Sequence, residues 1–395
     1  MKTYFKTYIR NFDYTVFFAY VILLLFGLVM VYSASMMVAI EDDKQAPDFY
    51  FQNQKFNIFV GFMAFLIGAI FPYRHFSRPG LMKFLTGVMI VLIAWLWVSG
   101  IGTTQTGSNS WINVFGITTF QPSEYIKLFV ILYLSATIYN KGKKGVAIKQ
   151  VTPVDISFPI AIWIIAIASV AMETDLGAGV IIGFIAMAIL VLSGIPGKTL
   201  FKFISILAGF GAIILFAVFL IKGDSLLTES RLGRFQVMGN PFEYAQGSGY
   251  QIINGYLAIG AGGLEGVGLG QSIQKLGFLP EPQTDFIMAI IAEELGIKGV
   301  AIVLIGLGII VARSLIIAMT TKDPLARMIA GGIGAWIGIQ TFVNLGGITG
   351  LIPLTGVTLP FISYGGSSIM LLSVALGILM NISMFHKREK RKITQ

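Results

Sequence analysis

The chain contains no cysteine and only two histidines among 395 residues, and 12% of its side chains are charged. Without cysteine there is no disulfide, no thiolate nucleophile and no cysteine-ligated metal. So little charge beside 55% hydrophobic residues excludes a soluble domain of ordinary composition and points to an integral membrane protein. The net charge of +9 reads as membrane anchoring, because its lysines and arginines fall between apolar runs; it is poor evidence for nucleic-acid binding.

Apolar runs long enough to cross a bilayer recur about ten times. They are Thr15–Met37, Phe56–Phe71, Leu81–Ser99, Phe120–Tyr139, Ile156–Met172, Leu176–Ser193, Phe203–Ile221, Phe286–Met319, Met328–Leu345 and Ile369–Phe385. The fold expected is all-α: a single polytopic membrane domain over 1–395, with a large extracytoplasmic loop at 222–283 and a basic cytoplasmic tail at 386–395. The eighth run is longer than one crossing needs, so it is tilted, broken or extended. Lys2, Lys6 and Arg10 precede the first run, and Lys387, Arg388, Lys390, Arg391 and Lys392 follow the last. Both termini are therefore expected in the cytoplasm. The alternation continues between them, with Arg74, Arg78 and Lys83 on one side and Glu41, Asp42, Asp43 and Asp48 on the other. The first run lacks a small-residue cleavage pattern and reads as a signal anchor.

His75 and His386 both fall on the cytoplasmic side of this arrangement. Chemistry on the outer face then has no histidine base, no Ser-His-Asp triad and no His-ligated zinc. General-base work there falls to a carboxylate.

Three segments break the apolar pattern. In GSNSWINVFGITTFQPSEYIKLF, Trp111 precedes Gln121, Pro122, Ser123 and Glu124, which open the fourth run with proline suited to a helix start. Glu124 and Lys127 are three apart and share a helical face. They read either as an internal ion pair or as a cation presented to an anionic substrate, and both can hold at once. The second segment is the long loop from Lys222 to Gln283, with Arg231 and Arg234 followed by glycines at 260, 262, 263, 266, 268 and 270. No GK[ST] follows, so a phosphate-loop nucleotide site is not indicated. Glycine here permits close backbone packing or a re-entrant turn, and the two arginines suit lipid headgroups as well as a substrate. Asp285 closes this loop at the lip of a helix expected to begin near Thr284, where an ionisable residue marks a working site or an N-terminal helix acid. Ala289, Ala292 and Gly296 form a small-residue seam on its side. Glu293 lies loosely on that side, and Glu294 with Lys298 has the spacing of a structural ion pair. The third segment is PLTGVTLPFISYGGSSIM. Its prolines and glycines forbid a continuous helix, and Ser367 and Ser368 offer caps to the last run, either as a plain turn or as an anion site.

Together these segments resemble the family of shape, elongation, division and sporulation proteins, FtsW and RodA among them. The resemblance runs through QPSE and Lys127 at Gln121–Lys127, TDLG at Thr174–Gly177 (with Asp175), and NP at Asn240–Pro241. It continues over Gly249–Gly270 (with Gln251), Leu279–Gly296 and Thr358–Ser368, the last holding Ser363, Tyr364, Gly365 and Gly366. VMVYSAS at Val29–Ser35 is more similar to the FtsW branch. The resemblance implies a peptidoglycan glycosyltransferase that polymerises lipid II at the outer face of a bacterial cell membrane, for septal wall synthesis. It implies a catalytic role for Asp285 and a substrate cavity at Glu124 and Lys127. It also implies a cognate class B penicillin-binding protein (a transpeptidase) and other divisome membrane proteins as partners, with no nucleic acid. Mg²⁺ or Mn²⁺ is the candidate cation at a pyrophosphate leaving group; its ligands are not evident, and no organic cofactor is implied. Two departures stand out. Many relatives carry histidine where this chain has Gln283, and some carry arginine where it has Ser110 and Thr119. A lipid II flippase and a non-catalytic division scaffold are the alternatives.

Overall fold

The computed structural model describes residues 10–41, 45–99, 111–114, 118–143, 157–172, 175–202, 204–205, 237–247 and 249–394. Its main helices are α1 (Tyr14–Glu41), α2 (Phe49–Ile70), α3 (Pro79–Ser99), α4 (Pro122–Lys143), α5 (Ser157–Met172) and α6 (Leu176–Leu192). They continue with α7 (Tyr250–Gly262), α8 (Ile287–Thr320), α9 (Pro324–Ile348) and α10 (Gly366–Thr394). Among the described residues, α1, α2, α3, α8, α9 and α10 are long and apolar enough to cross a membrane. The helices α4, α5 and α6 match three further expected runs. The seventh run, Phe203–Ile221, falls almost wholly outside the described residues. The chain is a multi-pass membrane protein.

Two observations depart from expectation. A short antiparallel hairpin, β1 (Ile112–Val114) and β2 (Thr118–Phe120), leads into α4, with Ile112 opposite Phe120. The described part of the long loop is no plain loop either, since it holds α7 and a 3₁₀ turn at Pro241–Tyr244. The helix α7 buries Ile252, Gly255, Ala258 and Gly262 on one side, and Gly263, at φ +51°, ends it.

In a bilayer, lipid is as apolar as leucine, so helices associate where small residues let backbones approach. The pairing of α2 with α10 shows this: a Cβ on Gly377 would lie 2.2 Å from the Phe65 carbonyl oxygen, and one on Gly68 would lie 2.6 Å from that of Val374. Tyr20 of α1 ties into the same place, its hydroxyl 2.8 Å from that of Ser373. The helix α10 is therefore central, with 83% of its most apolar 18-residue stretch buried, whereas only 11% of the corresponding stretch of α3 is buried and it lies at the edge. A three-residue turn joins α8 to α9. There Asp323 caps α9 through the Leu325 N–H at 3.0 Å, and Pro324 takes the first helical position, where its missing N–H costs nothing.

The charges separate between the two ends of the bundle. Asp323 also accepts from Tyr73 at 2.7 Å and faces Arg74 at 3.6 Å. Asp13, just ahead of α1, is bound by Arg313 at 2.7 Å, Ser383 at 2.8 Å and Lys387 at 3.5 Å. Burial alone would raise the Asp13 pKa; the hydrogen bonds from Arg313 and Ser383 and the charges of Lys387 and Arg313 outweigh it, so its pKa lies below the usual value. These basic clusters all sit at one end, and Asp285 sits at the other.

Candidate functional site at the Asp285 end

The helix carrying Asp285 begins at Ile287 rather than near Thr284, so Asp285 stands in the turn before it. This helix, α8, is 34 residues long and breaks at Gly296, whose φ of +62° is open to glycine and strained for other residues. Of the expectations for the long eighth run, a broken helix is the one observed. The small-residue seam is real as far as Ala292 and is cut at Gly296. What approaches it is α7: a Cβ on Gly262 would lie 1.8 Å from the Ala292 carbonyl oxygen.

The Asp285 backbone is held from two directions. Asn344 of α9 donates Nδ2 to the Asp285 carbonyl and to the Val357 carbonyl, each at 2.7 Å. One residue earlier, the Thr284 carbonyl accepts from the Ser363 hydroxyl at 2.6 Å, and the Gln283 carbonyl accepts from the Tyr364 N–H at 2.9 Å. The Asp285 carboxylate accepts from the Thr284 hydroxyl at 3.1 Å and retains 8% exposure. Phe361, at φ +63°, turns the chain so that Ser363 and Tyr364 face this segment, and Tyr364 packs edge-on to Tyr50.

One helical turn along α9 from Asn344 is Gln340. Its Oε1 accepts from Lys127 Nζ at 2.9 Å and from Trp336 Nε1 at 2.7 Å, and its Nε2 donates to the Thr358 carbonyl at 2.9 Å. Lys127 also pairs with Glu124 at 2.7 Å, and both are buried, at 1% and 4% exposure. The ion pair expected from the spacing is therefore present. Two acceptor oxygens along this path, Glu124 Oε2 and Asn344 Oδ1, are buried without a hydrogen-bond partner among the described residues. Such atoms are rare in a finished interior and suit a ligand that donates.

The mouth of α4 is fastened to its neighbours. Gln121 Nε2 and the Ser123 hydroxyl reach Asp175 at 3.0 and 3.4 Å, while the other Asp175 oxygen caps α6 through the Ala178 N–H at 2.9 Å. Ser367 and Ser368 do not cap α10. Ser367 accepts from the Gln121 N–H at 3.3 Å and Ser368 lies 3.3 Å from the Thr358 hydroxyl, so both tie the PFISYGG turn to its neighbours instead. Gly365 and Gly366 form the entry to α10, with the Gly365 carbonyl accepting from Ile369 at 3.1 Å. The structure thus gathers Asp285, Glu124, Lys127, Gln121, Ser123, Asp175, Ser363, Tyr364, Ser367 and Ser368 at one end.

Residues 14–388 match the FtsW/RodA/SpoVE family, described as cell cycle proteins. The chain belongs to that family. This member is 44% identical to the probable peptidoglycan glycosyltransferase FtsW of Bacillus subtilis, over 98% of this chain and 94% of that protein. It is 36% identical to stage V sporulation protein E of the same organism, over 93% and 95% of the two chains. Its fold matches a chain in a solved peptidoglycan synthase complex, with a TM-score of 0.71 at 23% identity over 95% and 98% of the two chains. It also matches Thermus thermophilus rod shape determining protein RodA, with a TM-score of 0.65 at 24% identity over 95% and 97%.

Other expected site residues stand apart in this family member. Gln251 donates to the Pro280 carbonyl at 3.2 Å, which supports the approach to Asp285. Trp111 lies half-buried ahead of β1. Arg231 and Arg234 lie outside the described residues. The expected Glu294–Lys298 pair is absent: Glu294 binds Lys275 at 2.7 Å, and Lys298 pairs with exposed Glu265. The helix breaks between the two at Gly296, which removes the regular i,i+4 geometry that the pair required. Gln340 and Asn344 were not singled out from sequence, although two amides four apart in an apolar run are a readable signal. Lys275 and Ser33 had no such signal, because their partner is remote in sequence.

Proposed function

We propose that this protein is a peptidoglycan glycosyltransferase that polymerises lipid II into glycan strands, in septal wall synthesis. The observation that carries the reading is the fixed Asp285. It is a carboxylate at the membrane lip, held through its own carbonyl by Asn344, which stands one turn along α9 from the Gln340 that binds buried Lys127. The names of the FtsW relatives support the chemistry.

In this reading the 4-hydroxyl of the acceptor sugar attacks C1 of the donor's muramyl unit. The new glycosidic C–O bond forms as the bond from C1 to the pyrophosphate oxygen breaks. Asp285 accepts the hydroxyl proton, and undecaprenyl pyrophosphate departs as the anion. Lys127 supplies positive charge toward that leaving group, and Glu124 Oε2 and Asn344 Oδ1 accept from substrate hydroxyl or amide groups. The membrane holds both lipid tails while the sugars meet outside it.

No group of three or more acidic or histidine residues suited to a metal occurs among the described residues. Mg²⁺ and Mn²⁺ favour hard oxygen donors and are often held by one or two carboxylates together with substrate phosphates. A single carboxylate, Asp285, together with the substrate pyrophosphate would fit that donor chemistry, and a bound ion would neutralise charge on the pyrophosphate. The termini lie in the cytoplasm, with the basic end of the bundle. The partners are a class B penicillin-binding protein and other division proteins of the membrane.

The test supplies labelled lipid II, a divalent cation and the transpeptidase partner to the purified protein, and resolves the glycan products on a gel. Wild type should give ladders, whereas Asp285→Asn and Asp285→Ala should give none while still binding lipid II. Ladders from either variant would sink the catalytic role of Asp285.

A further inference from the structure

A second buried ionic cluster lies away from the Lys127 path. Where α8 breaks at Gly296, the carbonyls of Glu293 and Glu294 lose their helical partners and must bond elsewhere. The glycine loop supplies them: the Val267 and Gly268 N–H groups donate to these two carbonyls, each at 2.9 Å, and the Ile297 N–H returns a bond to the Gly263 carbonyl at 3.2 Å. The fit leaves no room for side chains. A Cβ on Gly266 would lie 2.3 Å from the Glu294 carbonyl oxygen, and one on Gly296 would lie 2.5 Å from that of Leu264.

The side chains complete the clasp. Glu293 accepts from the Ile273 N–H at 2.9 Å and from the Ser272 hydroxyl. Glu294 accepts from Lys275 Nζ at 2.7 Å and from the Ser33 hydroxyl of α1 at 2.7 Å, and Lys275 also donates to Ser33 at 2.9 Å. Lys275, Glu293 and Glu294 are exposed by only 3%, 1% and 0%. A buried pair contributes little net stability over an apolar replacement, but it fixes which groups must meet.

The chain that runs on from Lys275 leads to Asp285 and is fastened to the same body. The Leu279 N–H bonds the Gln274 carbonyl at 2.8 Å, and Asn254 of α7 bonds the Phe278 carbonyl at 3.0 Å. Gln251 of α7 then holds Pro280. Thus α7, the glycine loop and the approach to Asp285 form one unit, anchored to α1 and α8 through Lys275.

We propose that Lys275, through its ion pair with Glu294, is a positioning residue for Asp285. The pair sets the seat of the loop body, and the loop body sets where the carboxylate stands. This rests on the glycosyltransferase reading for its kinetic consequence but not for its geometry. The test therefore has two arms. In the first, cysteines at exposed Phe278 and Phe342 (49% and 57% exposed) carry spin labels, in a chain that has no other cysteine. The distance distribution between them is recorded in nanodiscs by pulsed electron resonance. Lys275→Met and Glu294→Gln should broaden or shift it, and Lys275→Arg should restore it. In the second arm, lipid II polymerisation by the unlabelled variants should show kcat lowered by about 100-fold, the loss typical of a misplaced catalytic group, with KM unchanged.

An unchanged distance distribution in both Lys275→Met and Glu294→Gln would overturn the proposal whatever the activity, as would full kcat in a variant whose distribution has moved. Glu294→Gln keeps the shape and the Ser33 bond, and it decides the matter should Lys275→Met not fold. If wild type itself makes no ladders, the glycosyltransferase reading fails while the spectroscopic arm still decides the positioning.

Discussion

Lys127→Met would leave the Glu124 carboxylate, 4% exposed, without its partner at 2.7 Å, and would remove one of the two donors to Gln340 Oε1. The other Glu124 oxygen already lacks a partner among the described residues, so nothing nearby compensates the charge. Breaking a buried pair in this way costs about 3–5 kcal/mol, whereas replacing both members by apolar groups is often neutral or stabilising. The expectation is a loss of about 3–5 kcal/mol for Lys127→Met, about 3 kcal/mol for Glu124→Met, and less than about 1 kcal/mol for the double variant. The coupling between the two sites is then at least about 5 kcal/mol. Unfolding free energies measured by steric trapping in bicelles give all four corners of the cycle. Single losses below about 1 kcal/mol, the value of an exposed pair, or additive losses would refute the placement of this pair in a dry interior. A double variant that folds like wild type yet makes no glycan would show that the charges serve chemistry and not the fold.

Asn344→Leu removes two buried hydrogen bonds at once and should destabilise by about 2–4 kcal/mol. It should also lower polymerisation more than Thr341→Val on the same helix, measured on lipid II ladders. Gly262→Ala places a methyl 1.8 Å from a backbone carbonyl that cannot move freely, so it should sharply lower the yield of folded protein in fluorescence-detected size exclusion. Gly260→Ala, where a Cβ meets open space, should not. The Asp13 pKa is lowered in the folded state from 3.8, so its contribution to stability is full above that value and is lost as pH falls through the lower folded pKa. The thermal-stability gap between wild type and Asp13→Asn should be flat from about pH 5 to 8 and shrink only below about pH 4; a gap that closes near neutrality would contradict this.

Much of the site was legible because its signals are local. Pro122 with Glu124 and Lys127 is a helix start and a one-face pair within six residues, and both features appear as read. Asp285 stood out as a charge at the lip of an apolar run, with no histidine available on its side. The Glu294–Lys298 pair fails for a physical reason: helical spacing does not carry across Gly296, where the backbone leaves the helix. A hydroxyl's nearest use is to cap its own helix, but Ser367 and Ser368 find partners in the chain segments ahead of α4 and α10 instead.

By itself, the sequence determined that this chain crosses a membrane many times, that basic residues gather at both chain ends, and that the ionisable group at the lip of the eighth run is a carboxylate. Those conclusions follow from solvation and from covalent neighbours. Only the tertiary structure decided that Asn344 holds Asp285, that Gln340 links that path to Lys127, and that Lys275 closes on Glu294 and Ser33. Each of these depends on helices remote in sequence being brought within hydrogen-bond reach, and the close backbone packing at Gly262, Gly266 and Gly296 is what brings the last of them there.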